Sequence, residues 1–205
     1  LAGKGIAAKF TGDDSLSKRP MDRIIEPLHQ MGLSVESNHG YLPLIIRSSN
    51  MQGIHYTLPV PSAQIKSCII LAALGSKGET KIVENIKSRD HTEIMLRELG
   101  ANIKSDKMIS INPLTNFLPS FKITVPGDPS SAAFFAAAAA MIPNSDLTIK
   151  NLLANPTRIG FFEVIKNMGA GIEWLNMHQE AGEWIGDVHI YYKPLNGLHI
   201  KKNII

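Results

Sequence analysis

The chain has 205 residues, 44% hydrophobic and 19% charged, with a formal charge of +3 and a pI of about 9.0. That is enough apolar material for one or two packed domains, and it excludes a disordered segment. The basic excess is mild and lacks the Lys/Arg blocks of a nucleic-acid arm, so it suits small anionic ligands equally well.

Taken along the chain, Leu1 to Gly5 reads as the tail of a capped helix. A polar loop, Gly12 to Met21, precedes a helix over Arg23–Gly32 that carries Pro27, an awkward residue inside a helix because it has no amide proton. Pro61-Ser62-Ala63-Gln64 opens an apolar helix that runs to the turn Gly75-Ser76-Lys77-Gly78. It contains the single cysteine, Cys68, which reads as a small buried side chain. One cysteine excludes an intramolecular disulfide or a multi-thiolate metal site and fits a reducing, cytoplasmic setting. A strand over Thr80–Ile86 leads to a second glycine-ended helix, Thr92–Gly100, and then to three short alternating runs, Ala101–Lys104, Met108–Ile111 and Phe121–Val125. Pro129-Ser130-Ser131-Ala132 opens another apolar helix, with Ser130, like Ser62, as its expected cap. Its apolar run, Ala132 to Ile142, is about half of a bilayer span. The turn Pro143–Asp146, a strand over Leu147–Leu152 and a third glycine-ended helix, Phe161–Gly169, follow. In the strand-rich tail, Trp174, Trp184, Tyr191 and Tyr192 read as core or sheet-face residues, and Leu198–Lys202 as a last strand. No segment resembles a signal peptide, and no Gly-rich nucleotide loop or metal-ligand cluster stands out.

The chain repeats itself. Gly32, Gly100 and Gly169 close their helices 68 and 69 residues apart, and Pro61 and Pro129 open theirs 68 apart. Four landmarks on one spacing indicate duplication of a βαβαββ unit. The first and last residues fall inside units, so the chain is expected to be an internal piece of a longer protein.

Four segments carry a family resemblance. They are Gly12-Asp13-Asp14-Ser15-Leu16-Ser17-Lys18-Arg19-Pro20-Met21, Ser62-Ala63-Gln64-Ile65-Lys66-Ser67, Ser88-Arg89-Asp90-His91-Thr92-Glu93, and Val125-Pro126-Gly127-Asp128-Pro129-Ser130-Ser131-Ala132-Ala133. In this order, across nearly the whole chain, they resemble segments of the bacterial 5-enolpyruvylshikimate-3-phosphate synthases. The resemblance implies an α/β fold of repeated βαβαββ units, the inside-out α/β barrel of the enolpyruvyl transferases, here incomplete. It implies a partial first domain over residues 1–122 and a partial second over 123–205, with substrates in the cleft between whole domains; Pro119 and the Pro126-Gly127 turn would punctuate the boundary.

The implied reaction moves the enolpyruvyl group of phosphoenolpyruvate to the 5-hydroxyl of shikimate 3-phosphate and releases phosphate. Both substrates carry a carboxylate and a phosphate, which call for rigid cationic forks and free amides. By the resemblance, Arg19 and Gln64 would contact phosphoenolpyruvate. Ser62, Ala63, Gln64, Ser88 and Arg89 would contact shikimate 3-phosphate. Lys66 would face away from the ligand, His91 would pack or cap, and Ser130 and Ser131 would be structural. No cofactor or metal, no nucleic acid and no membrane is implied, and the parent enzyme would be a monomer. The family's acid and base groups match nothing in this chain, so no catalytic residue is expected within it, and the chain alone should be inactive.

Other functions stay open on the residues alone. The sister carboxyvinyl transferase acting on UDP-N-acetylglucosamine commonly uses a reactive loop cysteine, whereas Cys68 sits in an apolar helix. A non-catalytic substrate-binding or scaffold piece would keep Ser62, Gln64 and Ser88 without the chemistry. An RNA-processing relative would need a concentrated basic face.

Overall fold

The computed structural model describes residues 1–200, which form two compact units, Leu1–Ser120 and a second from Phe121 onward. In the first unit a 3-10 turn, Ala2–Lys4, closes on Gly5 in the left-handed region (φ 65°). Strand β1 (Ala8–Phe10), helices α1 (Asp14–Ser17) and α2 (Asp22–Gln30), and strands β2 (Val35–Asn38) and β3 (Tyr41–Ile46) follow. The three strands pair antiparallel in the order β1-β3-β2, with Ala8 and Val35 on either side of Ile46.

Next comes one complete βαβαββ unit. It comprises β4 (His55–Thr57), α3 (Ala63–Ala73), β5 (Thr80–Val83), α4 (His91–Glu98), β6 (Ile103–Ser105) and β7 (Ile109–Ile111). Its sheet runs β4-β5-β7-β6, with β4 parallel to β5 and the rest antiparallel. Beyond Phe121 the second unit has α5 (Pro129–Met141), β8 (Asp146–Leu153), α6 (Gly160–Asn167), β9 (Gly171–Glu180) and β10 (Glu183–Tyr191). Its sheet order is β8-β10-β9, all antiparallel. Gly127 makes a single parallel bridge to Leu152, where the complete unit has β4 beside β5. All three sheets therefore place the strand before the glycine-ended helix at one side of the antiparallel trio and the last strand in its middle. The α/β architecture follows the duplicated sequence.

Local chemistry explains the helix ends. Gly32, Gly100 and Gly169 sit at φ 93°, 89° and 106°, a region in which a Cβ would be strained. Pro27 is accommodated within α2 and buried, at the expense of one helical hydrogen bond. Helix α3 shows little amphipathic patterning because it is covered on more than one side: Ile65, Ile69, Ile70, Ala72 and Ala73 are all buried. They join Met31, Leu33, Ile46, Ile82 and Ile111 in one core. In the second unit the alanines of α5 (Ala132, Ala136, Ala139, Ala140) lie against Leu152, Phe162, Val188 and Ile190. Trp174 packs edge-on to Phe162, as a core aromatic should, whereas Trp184 is exposed. Among the described residues no helix is long and apolar enough to cross a membrane.

Three local expectations need correction. The run Phe121–Val125 forms no strand; its side chains are exposed, and an extended segment without a ladder partner stays irregular. The strand expected over Leu198–Lys202 is absent over residues 198–200, and its last two residues lie outside the described residues. Ser130 is not a helix cap. Helix α5 begins at Pro129, and Asp128 caps it by accepting from the Ser131 amide at 3.1 Å. A carboxylate one residue before the proline reaches the free amides first, and proline is suited to the first helical position.

Candidate functional site

The residues singled out from the sequence lie on two loops and one helix start, all in the first unit. Ser62 caps α3: its extended backbone (φ −142°) turns the hydroxyl back onto the Ile65 amide at 3.4 Å. Ala63 and Gln64 fill the first turn, with Gln64 exposed. The free amides and the dipole of this helix end favour an anion. Arg19 lies between α1 and α2. Its backbone is held by an Arg19 amide bond to the Leu16 carbonyl (3.0 Å), in a turn that Asp13 caps through the Leu16 amide (2.8 Å). The guanidinium is exposed and pairs with no other described residue.

Ser88 and Arg89 lie in the loop from β5 to α4, and a buried charge cluster fastens this loop to α3. The Lys66 ammonium, 0% exposed, donates to Glu93 Oε1 at 2.8 Å and to Glu84 Oε2 at 3.0 Å. It also reaches the Ser88 carbonyl at 3.4 Å. The other Glu84 oxygen accepts from both the Ser88 amide (3.2 Å) and the Ser88 hydroxyl (2.6 Å). Ser67 and Thr92 add a hydroxyl pair at 2.6 Å between α3 and α4. Ser88 is thereby held beside the first turns of α3, while the Arg89 guanidinium next to it is exposed and unpaired among the described residues. Lys66 does point away from the helix face that carries Gln64, as expected. Glu84 escaped the sequence reasoning, since nothing local marks an acid at a strand end as a partner for a helix lysine.

The second unit repeats this arrangement with different residues. Thr157 and Arg158 stand 69 residues after Ser88 and Arg89, the spacing of the two helix-ending glycines. Asn155 Oδ1 accepts from the Thr157 amide (2.8 Å) and hydroxyl (2.6 Å), as Glu84 does for Ser88. Arg158 folds onto the start of α5, donating to the Asp128 carboxylate and to Ser130 Oγ (3.0 Å). Desolvation works against ionising Asp128, but the Ser131 hydroxyl, the Ser130 and Ser131 amides and Arg158 outweigh it and hold its pKa below the ordinary carboxylate value. A carboxylate thus fills the gap between helix amides and arginine in the second unit. In the first unit the cap is the neutral Ser62, and Arg89 has no such anion. The signal for Arg158 was present in the repeat spacing.

Two clefts of about 540 and 420 Å³ open in the first unit, but none of Arg19, Ser62, Gln64, Ser88 and Arg89 lines either. The larger lies at the other end of α3, against Leu74 and Gly75, and the smaller is an apolar slot between α2 and α3. The smaller includes Cys68, a half-buried residue whose thiol burial pushes above its ordinary pKa. That makes it a poor nucleophile. Among the described residues no group of His, Cys, Asp and Glu could hold a metal ion.

A family model described as EPSP synthase (3-phosphoshikimate 1-carboxyvinyltransferase) matches residues 1–202. The 3-phosphoshikimate 1-carboxyvinyltransferase of Thermodesulfovibrio yellowstonii is 44% identical over 209 residues, covering 100% of this chain and 49% of that protein. That of Helicobacter pylori strain 26695 is 46% identical over 207 residues, covering 99% of this chain and 48% of that protein. A solved EPSP synthase from Acinetobacter baumannii superposes with a TM-score of 0.91 at 40% identity, covering 100% of this chain and 47% of that one. The chain spans about half the length of the curated relatives it matches.

Proposed function

The chain belongs to the EPSP synthase family, and on that premise we propose that the whole protein transfers the enolpyruvyl group of phosphoenolpyruvate to the 5-hydroxyl of shikimate 3-phosphate. Phosphate leaves as the second product, and the reaction serves the route to chorismate and the aromatic amino acids. The protein acts as a cytoplasmic monomer without a cofactor, and neither nucleic acid nor membrane is a partner.

In this stretch the work is binding. The phosphate of shikimate 3-phosphate sits at the start of α3, against Ser62 and the Ala63 and Gln64 amides, and Ser88 and Arg89 close on it from the loop before α4. Gln64 reaches both substrates, and Arg19 grips phosphoenolpyruvate with an exposed guanidinium fork. The carrying observation is the paired design of the two units. The Asp128 carboxylate lies between helix amides and Arg158 in one, and the same construction with Ser62 and Arg89 is left open in the other. An internal anion in one copy is a scale model of the ligand in the other. Protonating the vinyl carbon and deprotonating the hydroxyl need acid and base groups that match nothing in these 205 residues.

The test is isothermal calorimetry with shikimate 3-phosphate on the whole protein and its Ser62→Ala and Arg89→Ala variants. Each substitution should weaken binding by about tenfold or more, the loss of one hydrogen bond to a charged group. Unchanged affinity in both variants would remove the anion from this helix start.

A further inference from the structure

Lys66, Glu84 and Glu93 form a charged cluster that is almost fully buried, with side-chain exposures of 0%, 10% and 2%. The second unit builds the same helix pair without it. Counted from the helix caps, the position of Lys66 in α3 is that of Ala132 in α5, and the third residue of α4, Glu93, corresponds to Phe162, the third of α6. Ala132 and Phe162 pack in the apolar core. The fold thus forms its helix–helix contact with two apolar side chains, and burying three charges instead is no gain in stability.

The loop hold itself also works with a neutral acceptor, since Asn155 grips Thr157 as Glu84 grips Ser88. What only the first unit has is an acceptor locked from behind by a buried cation. Lys66 fixes one oxygen of Glu84 while the other fixes Ser88 at two atoms, and the same cation takes the Ser88 carbonyl. Three of the polar atoms of Ser88 are therefore tied to one cluster.

We propose that Glu84, locked by Lys66, is the positioning residue of the shikimate 3-phosphate site, holding the Ser88 hydroxyl at the start of α3 so that binding needs no loop ordering. The proposal rests on the assignment of Ser88 as a ligand contact. Its function is preorganisation: a hydroxyl already fixed in place is not immobilised again when the ligand arrives. Glu84 touches no ligand and acts through Ser88.

Steady-state kinetics on the whole protein separate the possibilities, using Ser88→Ala, the neutral pair Lys66→Met/Glu84→Gln, and the triple variant that combines them. Far-UV circular dichroism first establishes which variants fold; if the neutral pair does not, Glu84→Gln alone replaces it, keeping an acceptor for Ser88. The neutral pair should raise KM for shikimate 3-phosphate about tenfold, with kcat and KM for phosphoenolpyruvate within twofold. Added to Ser88→Ala, it should have no further effect, because the two act through one hydroxyl. If Ser88→Ala leaves KM for shikimate 3-phosphate unchanged, the assignment of Ser88 as a ligand contact fails. If Ser88→Ala raises it and the neutral pair does not, or the two effects multiply, the positioning role of Glu84 is overturned while the site assignment stands.

Discussion

Replacing Lys66 with methionine removes the cation and leaves Glu84 and Glu93 facing the same buried space, their oxygens having been 3.0 and 2.8 Å from Nζ. Methionine is close to lysine in volume, so the cavity contribution is small and the change is mainly electrostatic. Glu93 is 1% exposed and its Oε2 already has no hydrogen-bond partner, so it has no route to compensating water. Breaking a buried ion pair by deleting one partner costs about 3–5 kcal/mol. A unit of 120 residues has a total stability of roughly 6–18 kcal/mol, so the loss is a large share of it. The assay is urea denaturation followed by far-UV circular dichroism, because both tryptophans, Trp174 and Trp184, lie outside the first unit. The midpoint of the first unit should fall by about 2 M. Glu93→Gln alone leaves the neutral pair of Lys66 and Glu84 and should cost about 1 kcal/mol or less. The double variant should be more stable than Lys66→Met alone, since the second carboxylate is then gone. A Lys66→Met loss below about 1 kcal/mol, or simple additivity of the two changes, would refute the account of a tightly coupled buried cluster.

Other outcomes follow from single contacts. Gly75→Ala would place a Cβ 1.6 Å from the Gly3 carbonyl oxygen, so the turn after α3 and the N-terminal 3-10 turn must part; a loss of about 1–3 kcal/mol is expected in the same urea assay. Phe162→Ala removes a side chain 1% exposed and stacked edge-on to Trp174 at 5.8 Å, which should cost about 3–5 kcal/mol and shift the tryptophan emission to the red. Asp128→Asn keeps a helix cap but loses the charge facing Arg158. Because the folded Asp128 pKa is held below its ordinary value of 3.8, its charge contributes stability above that value and loses it as the pH falls through the depressed pKa. The wild-type advantage over Asp128→Asn in thermal melts should therefore be full near neutral pH and disappear in strong acid. The 205-residue chain by itself should show no phosphate release with both substrates, whereas ordinary turnover would mean that it holds acid and base groups matching no family segment.

Much of this molecule was legible without coordinates because the relevant interactions are local. Helix periodicity, the glycines at positive φ and the Ser62 cap each involve residues within one or two turns, and the repeat showed that whatever one copy does the next should resemble. The fold class and the order of helices and strands came from that level, and the site residues were named by their match to known segments. Tertiary structure decided the rest. Whether Phe121–Val125 becomes a strand depends on a neighbour to pair with, and the sequence of the run itself carries no such information. Ser130 and Asp128 were both capable of capping α5, and only the backbone path before Pro129 chose the carboxylate. Lys66 looked like one polar residue in an apolar helix; its role appears once β5 and α4 bring Glu84 and Glu93 from 18 and 27 positions away to surround it. A buried charge is tolerated only with partners at hydrogen-bond distance on several sides, and partners from separate elements are a property of the packed chain, invisible in any window of its residues.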